Sequence, residues 1–222
     1  SARIPMYLVA TLLRVTCIDC DMQSGPDLIS CGVSESLKGE KAMADDVYGQ
    51  VYGEAFARFY DQKLSFFAVR VAPTLISFFS GLKAFQSRPK TILDVACGTG
   101  QLAAAFLDEG YEVVGIDLSP HMVELAKANN KESVGTGRAM FTVADASSFT
   151  IQKPVSFAVS TFDALNHLPT TDSLKGCFES VYDALDTPGL FVFDLNTAHG
   201  LSRWNGISVV DTEDFTTINR GI

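Results

Sequence analysis

The sequence of 222 residues has few basic side chains, one tryptophan and three histidines. Lys and Arg number 17 against 26 Asp and Glu, which gives a net charge of −9 and a pI of about 4.7. Because no run of Lys or Arg offsets this acidity, general attraction to nucleic-acid phosphates or anionic lipid is excluded as a binding force. The composition, 47% hydrophobic and 19% charged, is typical of one globular domain with or without an appendage.

The N-terminal region has no apolar run long enough to cross a bilayer. Its run from Met6 to Leu13 covers eight residues between Arg3 and Arg14, whereas a spanning helix needs roughly 18 to 20. A targeting signal is disfavoured because no Ala-x-Ala-like cleavage site follows. We therefore predict that residues 1–42 are a leader or poorly ordered extension, that the functional unit starts near Met43, and that the protein has no membrane span.

Cysteine is scarce and odd in number. The five cysteines lie at positions 17, 20, 31, 97 and 177, and a chain of this length can build a core without disulfides. The pair Cys17 and Cys20 has no second pair and no neighbouring histidine, so incidental thiols are favoured over a zinc site. The pattern predicts a reducing, cytoplasmic setting and no metal.

Residues 43–90 have the pattern of a helical cap. Val51, Ala55 and Phe59 recur at helical spacing, and a second apolar stripe follows in which Pro73 marks a kink or a restart. Seven of the sixteen phenylalanines lie between positions 56 and 85. We expect a buried packing face, and an alternative is that some of these rings cover a substrate pocket.

Strands and helices alternate over residues 91–200. Short runs rich in Val, Ile and Phe predict strands at 91–96, 112–116, 139–144, 156–160 and 190–194. Helical patterns lie at 101–109, 120–129 and 173–185, the last with Thr171 or Asp172 as its cap. Near-continuous apolar strands separated by helices indicate a doubly wound, mainly parallel α/β sheet. Residues 201–222 contain two further β-like runs, 207–210 and 215–218, and read as the start of a β-insertion or a truncated tail.

Acids lie at the carboxyl ends of three successive strands of this predicted sheet. The first strand contains Asp94 and leads into Gly98 and Gly100, which allow a tight turn before a helix N-terminus. Asp117 lies nineteen residues after Gly98, where an acid can bind a ribose diol. The third strand leads into Asp145, which could accept a hydrogen bond from an adenine amino group.

The glycine spacing alone leaves two ligands open. With Ala103, the two glycines fit a relaxed dinucleotide fingerprint, which keeps NAD in consideration. Asp94 separates the two ligands, because a carboxylate beside the turn repels a pyrophosphate and suits an amino or sulfonium group. S-adenosylmethionine carries both of these cations and a ribose.

These motifs resemble the class I S-adenosylmethionine-dependent methyltransferases, and within them the small-molecule branch with a type-11/25-like core. The resemblance covers about residues 48–200. The matching stretches are 93–100, 114–122, 145–146, 160–168 and 189–194. It implies a Rossmann-like methyltransferase fold with N-terminal helices, S-adenosyl-L-methionine as cofactor, and methyl transfer to a small-molecule N or O acceptor.

The resemblance also implies a set of cofactor-binding positions. Asp94, Ala96 and Gly98 would line the methionine part, and Ser160 or Thr161 would meet its amino-acid moiety. Gly100, in the same glycine loop, and Tyr60 also belong to the set. Those around the ribose and adenine are Asp117, Leu118, Met122, Asp145 and Ala146. Tyr60 corresponds to an aromatic residue that the N-terminal helix of some relatives lays over the cofactor. Met122 has core packing as its equal alternative.

His167 is the candidate catalytic residue, because it follows the fourth strand near the place where the methyl group would be presented. A neutral imidazole is a competent base near pH 7. Asp163 is a second candidate for this role. The alternative for His167 is a helix-capping or loop role. Nucleic-acid relatives carry an Asn/Asp-Pro-Pro-Tyr-type motif after this strand, whereas this chain has Ser160-Thr161-Phe162-Asp163. A small amine, carboxylate or hydroxyl acceptor is therefore expected.

The chain departs from the resemblance at its C-terminal end. The usual sheet has strand order 3-2-1-4-5-7-6, but only 28 residues follow Asp194. We therefore expect a C-terminally truncated form without the last two strands. Its fifth strand would be an exposed edge that invites homo-oligomers. A cofactor-binding or assembly protein with this fold and little activity is the alternative function.

Overall fold

The computed structural model describes residues 52–197, together with three strands at 7–10, 207–211 and 216–220. The strands are β1 Tyr7–Ala10, β2 Thr91–Val95, β3 Glu112–Asp117, β4 Ala139–Val143, β5 Val155–Ser160, β6 Leu185–Phe193, β7 Ile207–Asp211 and β8 Thr216–Arg220. The α-helices are α1 Glu54–Phe59, α2 Phe66–Gly81, α3 Gln101–Asp108, α4 Pro120–Asn129, α5 Lys131–Gly135 and α6 Thr171–Ala184. A π-helical turn, Tyr60–Leu64, joins α1 to α2, and short 3₁₀ turns lie at Lys83–Phe85 and Ala164–His167.

Six strands form one parallel sheet in the order β1-β6-β5-β2-β3-β4. Five of them are the strands predicted from the apolar runs, so the doubly wound, mainly parallel fold is confirmed. β6 starts at Leu185, five residues earlier than predicted, because Leu185 already pairs with Val155 across an irregularity in the β5–β6 ladder.

Successive residues of the central strands pack into two cores on opposite faces of the sheet. Ile92, Phe157 and Val159 face the core shared with α2, α3 and α4, whereas Leu93 and Ala158 face the core that includes α6. Because both faces are covered, most positions of these strands are apolar, and the buried polar exceptions are Asp94, Ser156 and Ser160. This two-sided burial explains the near-continuous apolar runs in the sequence.

Side-chain caps define where two helices begin. The Ser119 hydroxyl accepts a hydrogen bond from the Met122 N–H, just before Pro120 opens α4. At α6 the cap is Thr170, whose Oγ1 accepts from the Ser173 N–H at 3.0 Å. The predicted caps Thr171 and Asp172 were wrong by one or two positions, because Thr170 has the extended backbone that a cap requires.

The helical cap packs on one face of the sheet. α2 continues through Pro73, and the bend of 59° lies instead between the π turn and α2. Within the part of the chain that the structure describes, no single helix is long and apolar enough to cross a membrane; the bent pair of residues 54–64 and 66–81 reaches that length and composition together. α2 buries Val71, Ala72, Leu75 and Phe79 in the core.

The N-terminal run differs from its prediction. Residues Tyr7–Ala10, assigned to a leader, form β1, which pairs in parallel with β6 from Tyr7 and Leu190 to Ala10 and Phe193. The prediction that the fifth predicted strand is an exposed edge is therefore wrong, because β1 covers it. The other positions of 1–42, including Cys17 and Cys20, and Met43 lie outside the described residues.

The two β-like runs near the C-terminus form a separate hairpin. β7 and β8 pair antiparallel, from Ile207 and Arg220 to Asp211 and Thr216. The predicted second run is displaced by one to two residues, since β8 spans Thr216–Arg220.

Candidate functional site

The site lies where the order of the sheet reverses. From β2 the chain builds outwards through β3 and β4 on one side, and then through β5 and β6 on the other. The carboxyl ends of β2 and β5 therefore diverge into a crevice, the place where open α/β sheets bind ligands. Asp94 in β2 and Ser160 at the end of β5 meet this crevice.

The loop after β2 has a left-handed backbone at three positions. The φ angles of Ala96, Gly98 and Gly100 are 59°, 53° and 82°. Gly100 also caps α3, and a Cβ there would lie 2.7 Å from the Asn130 side-chain nitrogen. Glycine is needed at this position for both reasons. The loop thereby leads directly into the N-terminus of α3 and its unpaired N–H groups.

Asp117 braces this loop from the end of β3. Its two carboxylate oxygens accept hydrogen bonds from the Gly98 N–H and the Ser119 N–H, each at 2.9 Å. Burial raises the pKa of Asp117, and the backbone hydrogen bonds oppose that rise. An ionised carboxylate retains further acceptor capacity beyond these two bonds, so Asp117 is available to accept from ligand hydroxyl groups.

Asp94 is the most unusual acid of the site. It is buried, and its Oδ2 atom has no hydrogen-bond partner among the described residues. Burial, reinforced by the charge of Asp117, raises the pKa of Asp94 to about 8. The hydroxyl of Ser160, at the neighbouring strand end, is likewise buried and unpaired in the described structure. Buried polar atoms normally have partners, so these two atoms suit a ligand that brings a donor or a positive charge.

A cavity of about 20 Å³ opens beside Asp94. It is lined by Tyr60, Phe67, Ala68, Asp94, Ala96, Cys97, Gln101, Leu102, Thr161 and Phe162. The Tyr60 ring lies so close to Gly98 that a Cβ there would be 3.1 Å from it. Burial, followed by the charge of Asp94, raises the pKa of the Tyr60 hydroxyl. The structure thus brings together four of the predicted positions: Tyr60, Asp94, Ala96 and Thr161.

The sequence did not predict that Phe67 and Phe162, which both line this cavity, contact each other. The rings of Phe67 and Phe162 are stacked, 4.7 Å apart and 13° from parallel. Phe162 has a φ of 64° and is held there because the N–H groups of Phe162 and Asp163 both donate to the Asp194 carboxylate. The many phenylalanines of the predicted helices indicated that Phe67 could line a pocket, whereas no local sequence feature indicated this for Phe162.

The four residues predicted to surround the adenine differ in their exposure to solvent. Leu118 is 53% exposed after β3, and Asp145 is exposed with its carboxylate accepting from the Ser147 N–H at 2.8 Å. Ala146 is half-buried. Met122 is 2% exposed, which agrees with the core-packing alternative.

His167 lies at the end of a 3₁₀ turn and is exposed. Its Nδ1 atom is 3.0 Å from the Tyr52 hydroxyl, and the two rings meet edge to face. The ring does not line the 20 Å³ cavity. The catalytic role of His167 stays a prediction.

A wider groove of about 400 Å³ lies between residues 147–154 and α6 and shares no lining residue with the cavity.

Comparison with known proteins gives a consistent family. Residues 92–189 match a family profile described as a methyltransferase domain. A protein of Geobacillus sp. (strain WCH70), provisionally named a methyltransferase, is 30% identical over 156 residues, covering 68% of this chain and 60% of that protein. The ubiquinone biosynthesis O-methyltransferase of Paracidovorax citrulli is 29% identical over 145 residues, covering 64% of this chain and 58% of that protein. The chain thus spans less than two thirds of the length of either relative.

A solved structure shows the same fold. The S-adenosylmethionine-dependent methyltransferase from Clostridium acetobutylicum is 23% identical and superposes with a TM-score of 0.59. The match covers 75% of this chain and 65% of that one.

Proposed function

Because the chain belongs to the class I methyltransferase family, we propose that it binds S-adenosylmethionine at the carboxyl ends of β2, β3 and β5. We further propose that it transfers the methyl group to a nitrogen or oxygen atom of a small molecule. This proposal rests on one observation: the buried Oδ2 atom of Asp94 has no hydrogen-bond partner in the part of the chain that the structure describes. An ammonium group at that atom would supply both the missing donor and the missing positive charge.

The other site residues fit the remaining parts of this cofactor. The Asp117 carboxylate, braced by Gly98 and Ser119, keeps acceptor capacity for ribose hydroxyls. We propose that the half-buried Thr161, which lines the cavity, and the Ser160 hydroxyl, which has no partner among the described residues, contact the amino-acid end. When bound, the cofactor supplies a methyl group on a sulfonium whose leaving group is a neutral thioether. The chain's own task is therefore to align cofactor and acceptor and to exclude water.

The acceptor is a small molecule with an apolar part. The stacked rings of Phe67 and Phe162 line the cavity and offer a flat apolar surface to such a ligand. The net charge of −9 is unfavourable for a nucleic-acid acceptor, and one relative is named an O-methyltransferase. His167 and Asp163 are the candidates to take the acceptor proton. The buried free thiols of Cys97 and Cys177 support a reducing, cytoplasmic setting.

The alternative is a protein that binds the cofactor without turnover. It is favoured by one observation, that the His167 ring contacts Tyr52 and does not line the cavity. An assembly role would then use the fold and the bound cofactor for stability.

Calorimetric titration of S-adenosylmethionine and S-adenosylhomocysteine into the full chain tests the shared core. We expect binding to the wild type and, because hydrogen bonds to a charged group are lost, about tenfold to a hundredfold weaker binding to Asp117→Ala. Asp108→Ala, an exposed acid at the end of α3, is the matched control and should bind as the wild type does. Absence of heat with the wild type would overturn both functions.

Formation of S-adenosylhomocysteine separates the two functions. The wild type is incubated with a panel of amines, carboxylates and hydroxyl compounds. Product formation above the acceptor-free rate supports the methyltransferase, whereas binding without product across the panel supports the alternative.

A further inference from the structure

We propose that Asp61 is a positioning residue that fastens the helical cap to the glycine loop and thereby sets how long a bound cofactor is retained. This inference rests on the proposed function and concerns the same site. It requires that Asp61 connect the cap with the loop, that this connection fix a residue of the site, and that the cap control access.

Asp61 connects three elements through one carboxylate oxygen. Its Oδ1 accepts from the Gln101 Nε2 at 2.6 Å and from the Asn129 Nδ2 at 2.8 Å. Gln101 is the first residue of α3 and Asn129 the last of α4. The Thr99 hydroxyl donates to the Gln101 Oε1 at 2.6 Å, and the Thr99 carbonyl accepts from Asn129 at 2.9 Å. We call these four residues the latch.

The latch fixes the residue that covers the glycine loop. Asp61 follows Tyr60 in the π turn, whose wide backbone ring is closed by the Ser65 N–H donating to the Tyr60 carbonyl at 3.1 Å. Single π turns are frequent at functional sites. Because Tyr60 contacts Gly98 and lines the cavity with Asp94, movement of Asp61 away from Gln101 would also move this ring.

The cap limits access to the cavity beside Asp94. Two of its lining rings, Tyr60 and Phe67, come from the cap. The volume of about 20 Å³ is far below the roughly 300 to 1,000 Å³ of ligand pockets, so a ligand that occupies this end of the site must displace lining side chains, and we infer that the two cap rings are among those that move.

The start of the cap has its own contact with Ser119, the residue that caps α4 after β3. The Ser119 hydroxyl donates to the Tyr52 carbonyl at 2.8 Å. Loss of Asp61 is therefore expected to loosen the cap without detaching it. The carboxylate makes charge-assisted hydrogen bonds with both amides, which are stronger than bonds between neutral groups.

The first test compares Asp61→Ala with the wild-type full chain, and Asp108→Ala is the matched control. S-adenosylhomocysteine dissociation is followed by stopped-flow displacement, and amide hydrogen exchange of residues 54–64 is measured in the free protein. We expect Asp61→Ala to raise the dissociation rate about tenfold and to accelerate exchange in 54–64. Asp108→Ala should change neither.

The second test exchanges the carboxylate and the amide between positions 61 and 101. Gln101→Glu alone places two carboxylates against each other and should speed dissociation. Asp61→Asn combined with Gln101→Glu restores an amide–carboxylate pair in the opposite direction. In this double variant the amide at position 61 can donate to the carboxylate at position 101 while its oxygen accepts from Asn129. We expect the double variant to recover dissociation to within about threefold of the wild type, a rescue that general damage to the fold would not produce.

The outcomes separate this inference from the proposed function. Failure of the wild type to bind the cofactor overturns the proposed function and the retention role together. Binding with an unchanged dissociation rate in Asp61→Ala, or absence of rescue in the double variant, overturns the retention role alone. Unchanged exchange in residues 54–64 shows that Asp61 does not hold the cap.

Discussion

Asp94 combines two conditions that an acid seldom meets in a folded protein: it is buried, and one of its oxygens has no partner among the described residues. Burial, with the nearby charge of Asp117, raises its pKa to about 8. At neutral pH the carboxyl of the free protein therefore holds its proton. A cation placed against it favours the ionised form, so binding of the proposed cofactor is coupled to release of that proton.

The affinity for S-adenosylhomocysteine should consequently rise with pH. Between pH 6 and 7.5, below the Asp94 pKa of about 8, each pH unit should strengthen binding by up to about tenfold, because the proton to be released is held less tightly. Calorimetry in buffers of different ionisation enthalpy measures both the affinity and the proton released. Asp94→Asn has no proton to release, so its binding should be weaker and flat over the same range. A flat profile in the wild type would contradict the assignment.

Local sequence features predicted some residues of the candidate site but not others. Asp94 and Asp117 follow from a strand end and a fixed spacing, both local features. Asp61 and Phe162 depend on distant partners: Gln101 lies 40 residues after Asp61, and Asp194 lies 32 residues after Phe162. No periodicity or motif specifies such pairs.

At the scale of elements, β3 shows how closely the sheet is packed beneath the glycine loop. A Cβ on Gly115 would lie 2.5 Å from the Phe141 ring of β4 and 3.0 Å from the Cys97 sulfur. Phe141 is 3% exposed and cannot easily move away. Glycine is therefore required here by packing.

Gly115→Ala should lower the free energy of unfolding by about 1 to 3 kcal/mol, the usual cost of adding a methyl group to a filled core. Gly81→Ala is the matched control, because no atom of the described residues lies within 4 Å of a Cβ there. Urea unfolding followed by circular dichroism measures both variants. Equal stability of the two would show that Phe141 and Cys97 adjust at little cost.

Across the whole molecule, the helical cap and the sheet share one core. Phe79 of α2 is 2% exposed, and its ring centre lies 4.4 Å from that of Phe157 in β5 and 6.0 Å from that of Phe106 in α3. The cap is therefore an integral part of the domain, and the proposed role of its first turns in cofactor retention requires only local movement.

Phe79→Ala should destabilise the whole described domain by about 3 to 5 kcal/mol, because it leaves a cavity between α2 and the sheet. Phe66→Ala, on the same helix but 50% exposed, should change stability by less than about 1 kcal/mol. Urea transitions observed by circular dichroism and by tyrosine fluorescence should coincide in both variants. Separate transitions for the two probes would show that the cap unfolds independently of the sheet.

The sequence by itself determined the five strands and three main helices between residues 91 and 194, their parallel arrangement, and the acids at or just after the ends of β2, β3 and β4. Apolar periodicity, glycine spacing and strand-end position are local properties that the chain carries before it folds. Only the tertiary structure decided which groups meet. It paired β1 with β6, stacked Phe67 on Phe162 and joined Asp61 to Gln101. These contacts connect segments far apart in the chain, and they form only when burial of the two cores brings those segments together.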